Sequence, residues 1–180
     1  MVVESQITDN PLESFVNEST SGEWSDEGNR LLHHGEFEEA ILAFDNASDV
    51  YMAAVATAYQ CQKVARSIPE ARTKHRREAF VEAANAFEHC AGLAKNHNDE
   101  CSQYIAAARC YAEVNFHQDV VRTLKAADEF TEAASYCFDK NLLDSAVSII
   151  KSHEAQMESD TTDRIKQVAR LSYLESKKLE

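Results

Sequence analysis

Apolar residues recur at intervals of three or four along most of the chain, which is the spacing of an amphipathic α-helix. The first such segment predicts a helix over about 24–33 that stops at His34-Gly35, because glycine favours the position just past a helix end. The other predicted helices are one that starts near Phe37, one over 50–66, one from 69–74 to about 95, and those over 99–114, 117–127, 130–140, 142–153 and 161–178. The pattern predicts an all-α chain of about nine helices.

Asparagines lie near several predicted helix boundaries. We expect Asn96–Asn98 to end the long fourth helix. We expect Asn115 and Asn141 to cap the helices that follow them, since each precedes by three residues a side chain able to accept a hydrogen bond. The third helix is almost uncharged over 50–62, which predicts burial on more than one side.

The last predicted helix carries one apolar stripe, made of Ile165, Val168, Leu171 and Leu174. We expect its outer face to be polar. A polar outer face is what the terminal helix of a helical stack requires.

The first residues of the chain differ from the rest. Residues 1–22 are acidic and polar without a sustained period, which predicts a flexible tail. The periodic part, 23–180, is long enough for one domain with its own core, and we expect it to form one.

Two sequence patterns recur within the periodic part. Glu36–Ala40 (Glu-Phe-Glu-Glu-Ala) resembles Glu129–Ala133 (Glu-Phe-Thr-Glu-Ala), in each case at a predicted helix start. A shift of 26 residues aligns Ala107-Ala108 with Ala133-Ala134, Tyr111 with Cys137, Asn115 with Asn141, Val120-Val121 with Ala146-Val147, and Leu124 with Ile150. Twenty-six residues accommodate two short helices and two tight turns, so the pattern indicates repeated helical hairpins.

Residues 24–54 resemble one tetratricopeptide repeat, through the signature residues Trp24, Gly28, Ala40, Phe44 and Ala47. The resemblance implies that small residues mark where two helices touch and that aromatic rings fill the space between them. It also implies stacked antiparallel hairpins, a tetratricopeptide-like α-solenoid, which binds other proteins. In some such domains an Asn and a Lys four residues earlier grip a C-terminal carboxylate. Asn29 matches the Asn, but Ser25 occupies the Lys position, so that use is not expected.

Two further resemblances bear on function. Residues 53–87 are similar to the helical-repeat region of fungal proteins with UvrD-like helicase domains and of related tetratricopeptide-and-ankyrin-repeat proteins. This implies an accessory part of a larger protein, or a piece of an ATP-dependent nucleic-acid helicase factor. The spacing of alanine and aromatic residues in 84–87 and 106–111 is similar to that in the soluble NSF attachment proteins, which implies a vesicle-trafficking adaptor. These alternatives stay open beside a stand-alone binding module.

Charge is spread unevenly over a chain whose net charge is −13. Residues 1–49 hold twelve acidic residues and one Arg, which disfavours general nucleic-acid binding. Residues 63–77 are basic, and the basic segment Arg72, Lys74, Arg76 and Arg77 is the candidate partner-binding site. Three interpretations remain: a solvated helix start that pairs with acidic neighbours, a docking patch for an acidic partner such as the N-terminal tail, and a nuclear-import or nucleic-acid patch.

Motifs for catalysis are not recognisable. The four glycines are isolated, and no G-x-x-x-x-G-K-[ST] phosphate-binding loop occurs. One conceivable metal set is His89, Cys90, His97 and Cys101, but its spacing fits no standard zinc pattern and favours core cysteines with surface histidines. A nucleophile set could combine Cys110, His117 and Asp119, but Cys110 lies on an apolar stripe, which favours packing. We therefore predict no enzyme activity, no catalytic residue, no metal and no cofactor.

The location predicted for the chain is intracellular. Five cysteines without a C-x-x-C pair favour a reducing compartment, the cytoplasm or the nucleus. No apolar run reaches the roughly 18 residues of a membrane span. The sequence predicts protein partners of unknown identity and leaves the oligomeric state open.

Overall fold

The computed structural model describes residues 20–178, and within this part the regular structure is helical, without a strand. The helices are α1 Ser21–His34, α2 Phe37–Asn46, α3 Val50–Ser67, α4 Thr73–Leu93, α5 His97–Glu113, α6 His117–Ala126, α7 Phe130–Asp139, α8 Leu143–His153 and α9 Ser159–Lys178, with a 3₁₀ turn at Glu154–Gln156. The all-α prediction is confirmed for the described residues, and most helix ends lie within two residues of their predicted positions.

Helix α1 begins earlier than predicted because Thr20 caps it. The Thr20 hydroxyl accepts a hydrogen bond from the Glu23 N–H at 3.3 Å, and the Glu23 carboxylate accepts one from the Thr20 N–H at 2.6 Å. This reciprocal arrangement satisfies two donors that a helix start leaves unpaired. Ser21 and Gly22 therefore belong to the helix and not to the tail predicted over 1–22, and the rest of that tail, 1–19, lies outside the described residues.

Helix α5 also begins earlier than predicted. The expectation that Asn96–Asn98 end α4 is wrong, since α4 ends at Leu93 and Asn96 caps α5. The Asn96 side-chain oxygen accepts a hydrogen bond from the Asp99 N–H at 2.9 Å. An asparagine between two helices serves either as a cap or as a terminator, and here it caps the second helix.

Five turns between helices share one backbone geometry. Each contains a residue in the left-handed region, with φ between 58° and 74°; they are Gly35, Ser48, Asn115, Asp128 and Asn141. In each turn the N–H of the next residue donates to a carbonyl five residues earlier, at 2.8 to 3.1 Å. This bond satisfies a carbonyl that the helix end would leave unpaired.

The capping roles expected for Asn115 and Asn141 are therefore wrong. Both residues terminate the preceding helix, and the N-cap positions of the following helices are Phe116 and Leu142, which make no side-chain cap bond. Asparagine tolerates positive φ better than most residues with a side chain. That tolerance, and not its ability to cap, explains the two asparagines.

The described chain divides into two compact units, with the boundary between Thr57 and Ala58 inside α3. The prediction of a single domain over 23–180 stays a prediction. Helix α3 is buried on several sides, as its lack of charge predicted, with Ala53 and Ala56 in the core of the first unit. Further along the helix, Ala58, Gln62 and Ala65 are buried as well.

The first unit is centred on the ring of Phe44, which has no solvent exposure. A Cβ atom added to Gly28 would lie 2.7 Å from a carbon of this ring, closer than nonbonded carbons approach. Helices α1 and α2 thus meet at a glycine against a ring. Four of the five signature residues are buried, namely Gly28, Ala40, Phe44 and Ala47, and Trp24 packs half-buried against the same core.

The second unit packs helices that are neighbours in sequence, from α4 on α5 to α8 on α9. Under the shift of 26 residues, six aligned apolar pairs have the same degree of burial in α5–α6 and α7–α8, whereas Tyr104 and Phe130, Cys110 and Tyr136, and Phe116 and Leu142 differ. The pairs are Ala107 with Ala133, Ala108 with Ala134, Tyr111 with Cys137, Val120 with Ala146 and Leu124 with Ile150, all buried, and Val121 with Val147, both half-buried. Small buried residues let these helices approach closely.

The last helix departs from its predicted role. Ile165 is fully buried, but Leu171 and Leu174 are each more than half exposed. Tyr173 is exposed to a similar extent. The polar outer face expected of a terminal helix is therefore wrong for the end of α9, because Leu171 and Leu174 lie on the side of the helix away from Ile165.

Candidate binding surfaces

Three helices of the second unit form an open groove of about 270 Å³. Helix α6 lies between α5 and α7 and supplies the floor. The lining residues are Ile105, Ala108, Arg109 and Ala112 from α5, Val120 and Leu124 from α6, and Glu129, Glu132 and Tyr136 from α7 and the turn before it. In both α5 and α7 they recur every three or four residues, so each helix presents one face to the groove.

The floor of this groove is apolar and the rim is charged. Val120 and Leu124 are at most 5% exposed, and Ala108 is also buried. Arg109 on the α5 side is exposed, as are Glu129 and Glu132 on the α7 side. Among the described residues no ion-pair partner lies within 4.0 Å of these three charged side chains. The rim therefore holds one cation and two anions that an external group can pair.

The aromatic side chain at the groove is fixed in place. The hydroxyl of Tyr136 lies 2.7 Å from Nδ1 of His117, the first residue of α6. The ammonium group of Lys140 lies 5.8 Å from the centre of the Tyr136 ring. Burial raises the pKa of Tyr136, so its hydroxyl keeps its proton. A partner would meet a groove wall that is already ordered.

A polar network joins α4, α5 and α6 beside the groove helices. Arg122 donates two hydrogen bonds to the Glu88 carboxylate, both at 2.8 Å. The Tyr111 hydroxyl lies 2.8 Å from the same carboxylate and 3.0 Å from the Asn85 side-chain oxygen. The hydrogen bonds from Arg122 lower the pKa of Glu88, whereas burial and the Glu88 carboxylate raise the pKa of Tyr111 to about 12. The network fixes three helices by side chains from each.

The basic segment lies at the start of α4 and is partly engaged within the chain. Arg76 reaches Glu113 of α5 at 3.3 Å and stacks over the Phe80 ring at 4.9 Å. Arg77 lies over the Phe116 ring at 4.3 Å. Lys74 and Glu78 form an exposed pair at 3.9 Å. These contacts match the interpretation of a helix start that pairs with acidic neighbours, and the docking role of the segment stays a prediction.

A shallow depression adjoins the basic segment. Its volume is about 560 Å³, and Lys74, Arg77, Val81 and Phe116 contribute to its lining. Arg72, at the N-cap of α4, is exposed. Arg72 and Lys74 are therefore the two members of the segment best placed to meet a partner from solvent.

The cysteines proposed as packing residues are mostly buried. Cys90, Cys110 and Cys137 have no solvent exposure, and burial raises the pKa of Cys90 to about 11. The Cys110 sulfur accepts a hydrogen bond from the Gln62 amide at 3.3 Å. A raised pKa suppresses the thiolate, which is the nucleophilic form. These three thiols are therefore poor nucleophiles.

One contact among chemistry-bearing side chains was not anticipated from the sequence. The Nε2 atom of His97 lies 3.4 Å from the Cys101 sulfur and 3.1 Å from the Asp128 carboxylate. Desolvation, then the Asp128 charge, raises the pKa of Cys101, which again disfavours the thiolate. Over the described residues, no group of three or more His, Cys, Asp or Glu side chains is arranged to hold a metal ion. The contact links the start of α5 to the α6–α7 turn.

Within residues 20–178, none of the helices combines the length and apolarity needed to cross a bilayer. Comparison of the chain with protein-family models, with curated proteins and with solved structures finds no match. The resemblances to tetratricopeptide, helicase-associated and attachment proteins therefore stay predictions that depend on the residues quoted for them.

Proposed function

We propose that the chain is a non-catalytic helical-repeat module that binds another protein. The observation that supports this proposal is the agreement between α5–α6 and α7–α8: six aligned apolar pairs have the same burial, and Asn115 and Asn141 have the same left-handed turn. Repeated hairpins of this kind bury their apolar faces by stacking, and a stack presents an extended surface for a partner. The helices then form a solenoid of antiparallel hairpins.

The groove between α5 and α7 is the binding surface in this proposal. It combines a buried apolar floor with exposed charges on the rim, which is the composition of a protein-binding patch with a dry centre and a polar edge. Its position between repeat-related helices supports the same role. The basic segment is the second surface, through exposed Arg72 and Lys74.

The experiment compares two matched variants of the full chain. Ala112→Arg places a large charged side chain in the groove, and Ala126→Arg makes the same change at an exposed position at the end of α6. Each purified protein is used to capture partners from its native cell, and every captured protein is then purified and bound again. We expect at least one direct partner that wild type and Ala126→Arg bind and Ala112→Arg does not. The groove proposal is contradicted if wild type and both variants bind every captured partner equally, or if none of the three proteins binds a partner.

The basic segment is tested separately through its exposed members. Arg72→Glu with Lys74→Glu leaves the contacts of Arg76 and Arg77 in place. If the segment docks an acidic partner, this variant binds that partner more weakly, and the difference shrinks as salt is raised. Unchanged binding at low salt contradicts the docking role. The helicase-associated and trafficking roles stay predictions.

A further inference from the structure

We infer that the groove between α5 and α7 takes a basic segment of a partner protein, which inserts an apolar side chain between Arg109 and the pair Glu129 and Glu132. This inference rests on the proposed function and specifies the chemistry of the partner. It follows from the size of the groove, the charges on its rim and the rigidity of its walls.

The size of the groove suits an apolar side chain of a partner better than a small-molecule ligand. Pockets for drug-sized molecules usually span about 300–1,000 Å³, while a cavity of about 150 Å³ holds one benzene. At about 270 Å³ the groove accommodates one or two apolar side chains and not a whole drug-sized ligand. The floor of Val120 and Leu124 offers such an anchor only apolar contacts. The rest of the partner therefore lies outside the groove, across its rim.

The charges on the rim determine which partner residues are expected beside that anchor side chain. Glu129 and Glu132 are one helical turn apart and face the groove from one side, with Arg109 on the other. All three are exposed and lack ion-pair partners among the described residues. Two anions against one cation favour a segment with Lys or Arg beside its apolar anchor. An acidic group on the segment's other side would pair with Arg109.

The groove walls are already held in place, which lowers the conformational entropy lost on binding. The Tyr136 hydroxyl bonds to His117 across α6 and α7, and the network of Arg122, Glu88 and Tyr111 fixes α6 against α4 and α5. A groove whose walls are already held loses little conformational freedom when a partner arrives. The binding energy is then available for the anchor and the charge pairs.

The test starts from random peptides, because the partner has no identity yet. A displayed library of random 12-residue peptides is selected on the full chain, with a parallel selection on Glu129→Lys/Glu132→Lys. We expect wild type to enrich peptides with Lys or Arg within four residues of Leu, Ile, Phe, Met or Trp. The best peptide, made synthetically, should bind this variant about tenfold more weakly than wild type, since rim charges act at the edge of the contact.

Three further measurements make the result specific. Asp139→Lys/Asp163→Lys changes net charge equally, outside the groove, and should leave the affinity unchanged. Glu129→Gln/Glu132→Gln should weaken the peptide less than the Lys variant. A peptide with its basic residues replaced by Glu should bind Glu129→Lys/Glu132→Lys more tightly than wild type. Circular dichroism verifies that each variant is folded.

Several outcomes would overturn the inference. They are enrichment of peptides without basic residues, failure to enrich any peptide, equal weakening by Asp139→Lys/Asp163→Lys, and self-association of the chain that Glu129→Lys/Glu132→Lys abolishes. The last would identify a second copy as the occupant. If Ala112→Arg abolishes partner binding while these charge changes have no effect, the groove still binds protein, and only the basic partner chemistry is wrong.

Discussion

The hairpin α1–α2 of the first unit and the helices α4–α6 of the second are held by different kinds of contact. In the first, Gly28 lets the fully buried ring of Phe44 approach the α1 backbone. In the second, Phe80 and Phe87 of α4 are buried, and a polar network of Glu88, Arg122 and Tyr111 also connects the three helices. Apolar contact depends on volume, whereas the network depends on charge and pH. The two regions should therefore respond to different perturbations.

Truncation of Phe44 should have the largest effect. Phe44→Ala leaves a cavity at the centre of the first unit and should lower its free energy of unfolding by about 3–5 kcal/mol. Trp24 is the only Trp of the chain and packs against this core, so its fluorescence follows urea unfolding of the first unit. The control is Leu42→Ala on the same helix, where 64% of the side chain is exposed and the change should be within about 0.5 kcal/mol.

A methyl group at Gly28 should have the next largest effect. Gly28→Ala places a Cβ 2.7 Å from the Phe44 ring and should destabilise the first unit by about 1–3 kcal/mol. The cost arises from this one contact, so it should fall when Phe44 is replaced by Leu. Trp24 fluorescence on the four proteins of this double-mutant cycle measures the coupling. Additive changes would show that the glycine is required for another reason.

Removal of the Glu88 carboxylate should have a smaller effect, in the second unit. Glu88→Gln loses charge-assisted hydrogen bonds to Arg122 and should cost about 1 kcal/mol, a modest value because half of the Arg122 side chain is exposed. The loss should shrink with added salt, and far-UV circular dichroism in urea measures it. Glu27→Gln removes a similar pair with Arg30 on the surface of α1 and should change stability less. An equal loss of stability in Glu88→Gln and Glu27→Gln would contradict a special role for the network.

The same carboxylate should make the second unit sensitive to acid. Pairing with Arg122 lowers the pKa of Glu88 in the folded state, so folding favours the ionised form. The resulting stabilisation is present above the ordinary Glu pKa of about 4.3 and is lost as the pH falls through the lowered value. Glu88→Gln should therefore narrow the difference in stability between pH 7 and pH 3. If the free energy of unfolding varies with pH equally in wild type and Glu88→Gln, Glu88 is not the source of the acid sensitivity.

The turns should give the smallest effects, and they differ between the two units. Ser48, in the first unit, holds φ at 59° with a residue that disfavours it, so Ser48→Gly should stabilise by up to about 1 kcal/mol. Asn141, in the second unit, tolerates its φ of 60° better, so Asn141→Gly should change stability by less than about 0.5 kcal/mol. Thermal unfolding followed by circular dichroism compares them. A greater gain at Asn141 would contradict this explanation of the turns.

Local patterns were sufficient to predict the helices but not the roles of residues at their ends. Periodicity placed α4, α6 and α7 within two residues of their bounds, because an apolar stripe depends on spacing alone. Asn96 and Asn115 were assigned the wrong roles, since asparagine caps a helix in one backbone conformation and ends it in another. The Thr20 cap was missed although Thr20 and Glu23 form the capping-box pattern.

The candidate groove could be predicted from the sequence even less well than the helix ends. The sequence places Glu129 and Glu132 in a recurring segment but contains no signal for a role of Tyr136. They form one surface with Arg109 only because α5 and α7 flank α6. The basic segment was visible in the sequence, but the engagement of Arg76 with Glu113 was not. Pairing between residues tens of positions apart depends on packing, which has no local signature.

The sequence by itself determined the all-α class and the approximate helix bounds. Each of these follows from spacing, side-chain size or backbone freedom within a short segment. Tertiary structure alone decided which charges are paired and which remain on a groove rim. It also decided that Leu171 is exposed while Ile165 of the same helix is buried. Burial and pairing are properties of the assembled fold, since they depend on what each helix face meets.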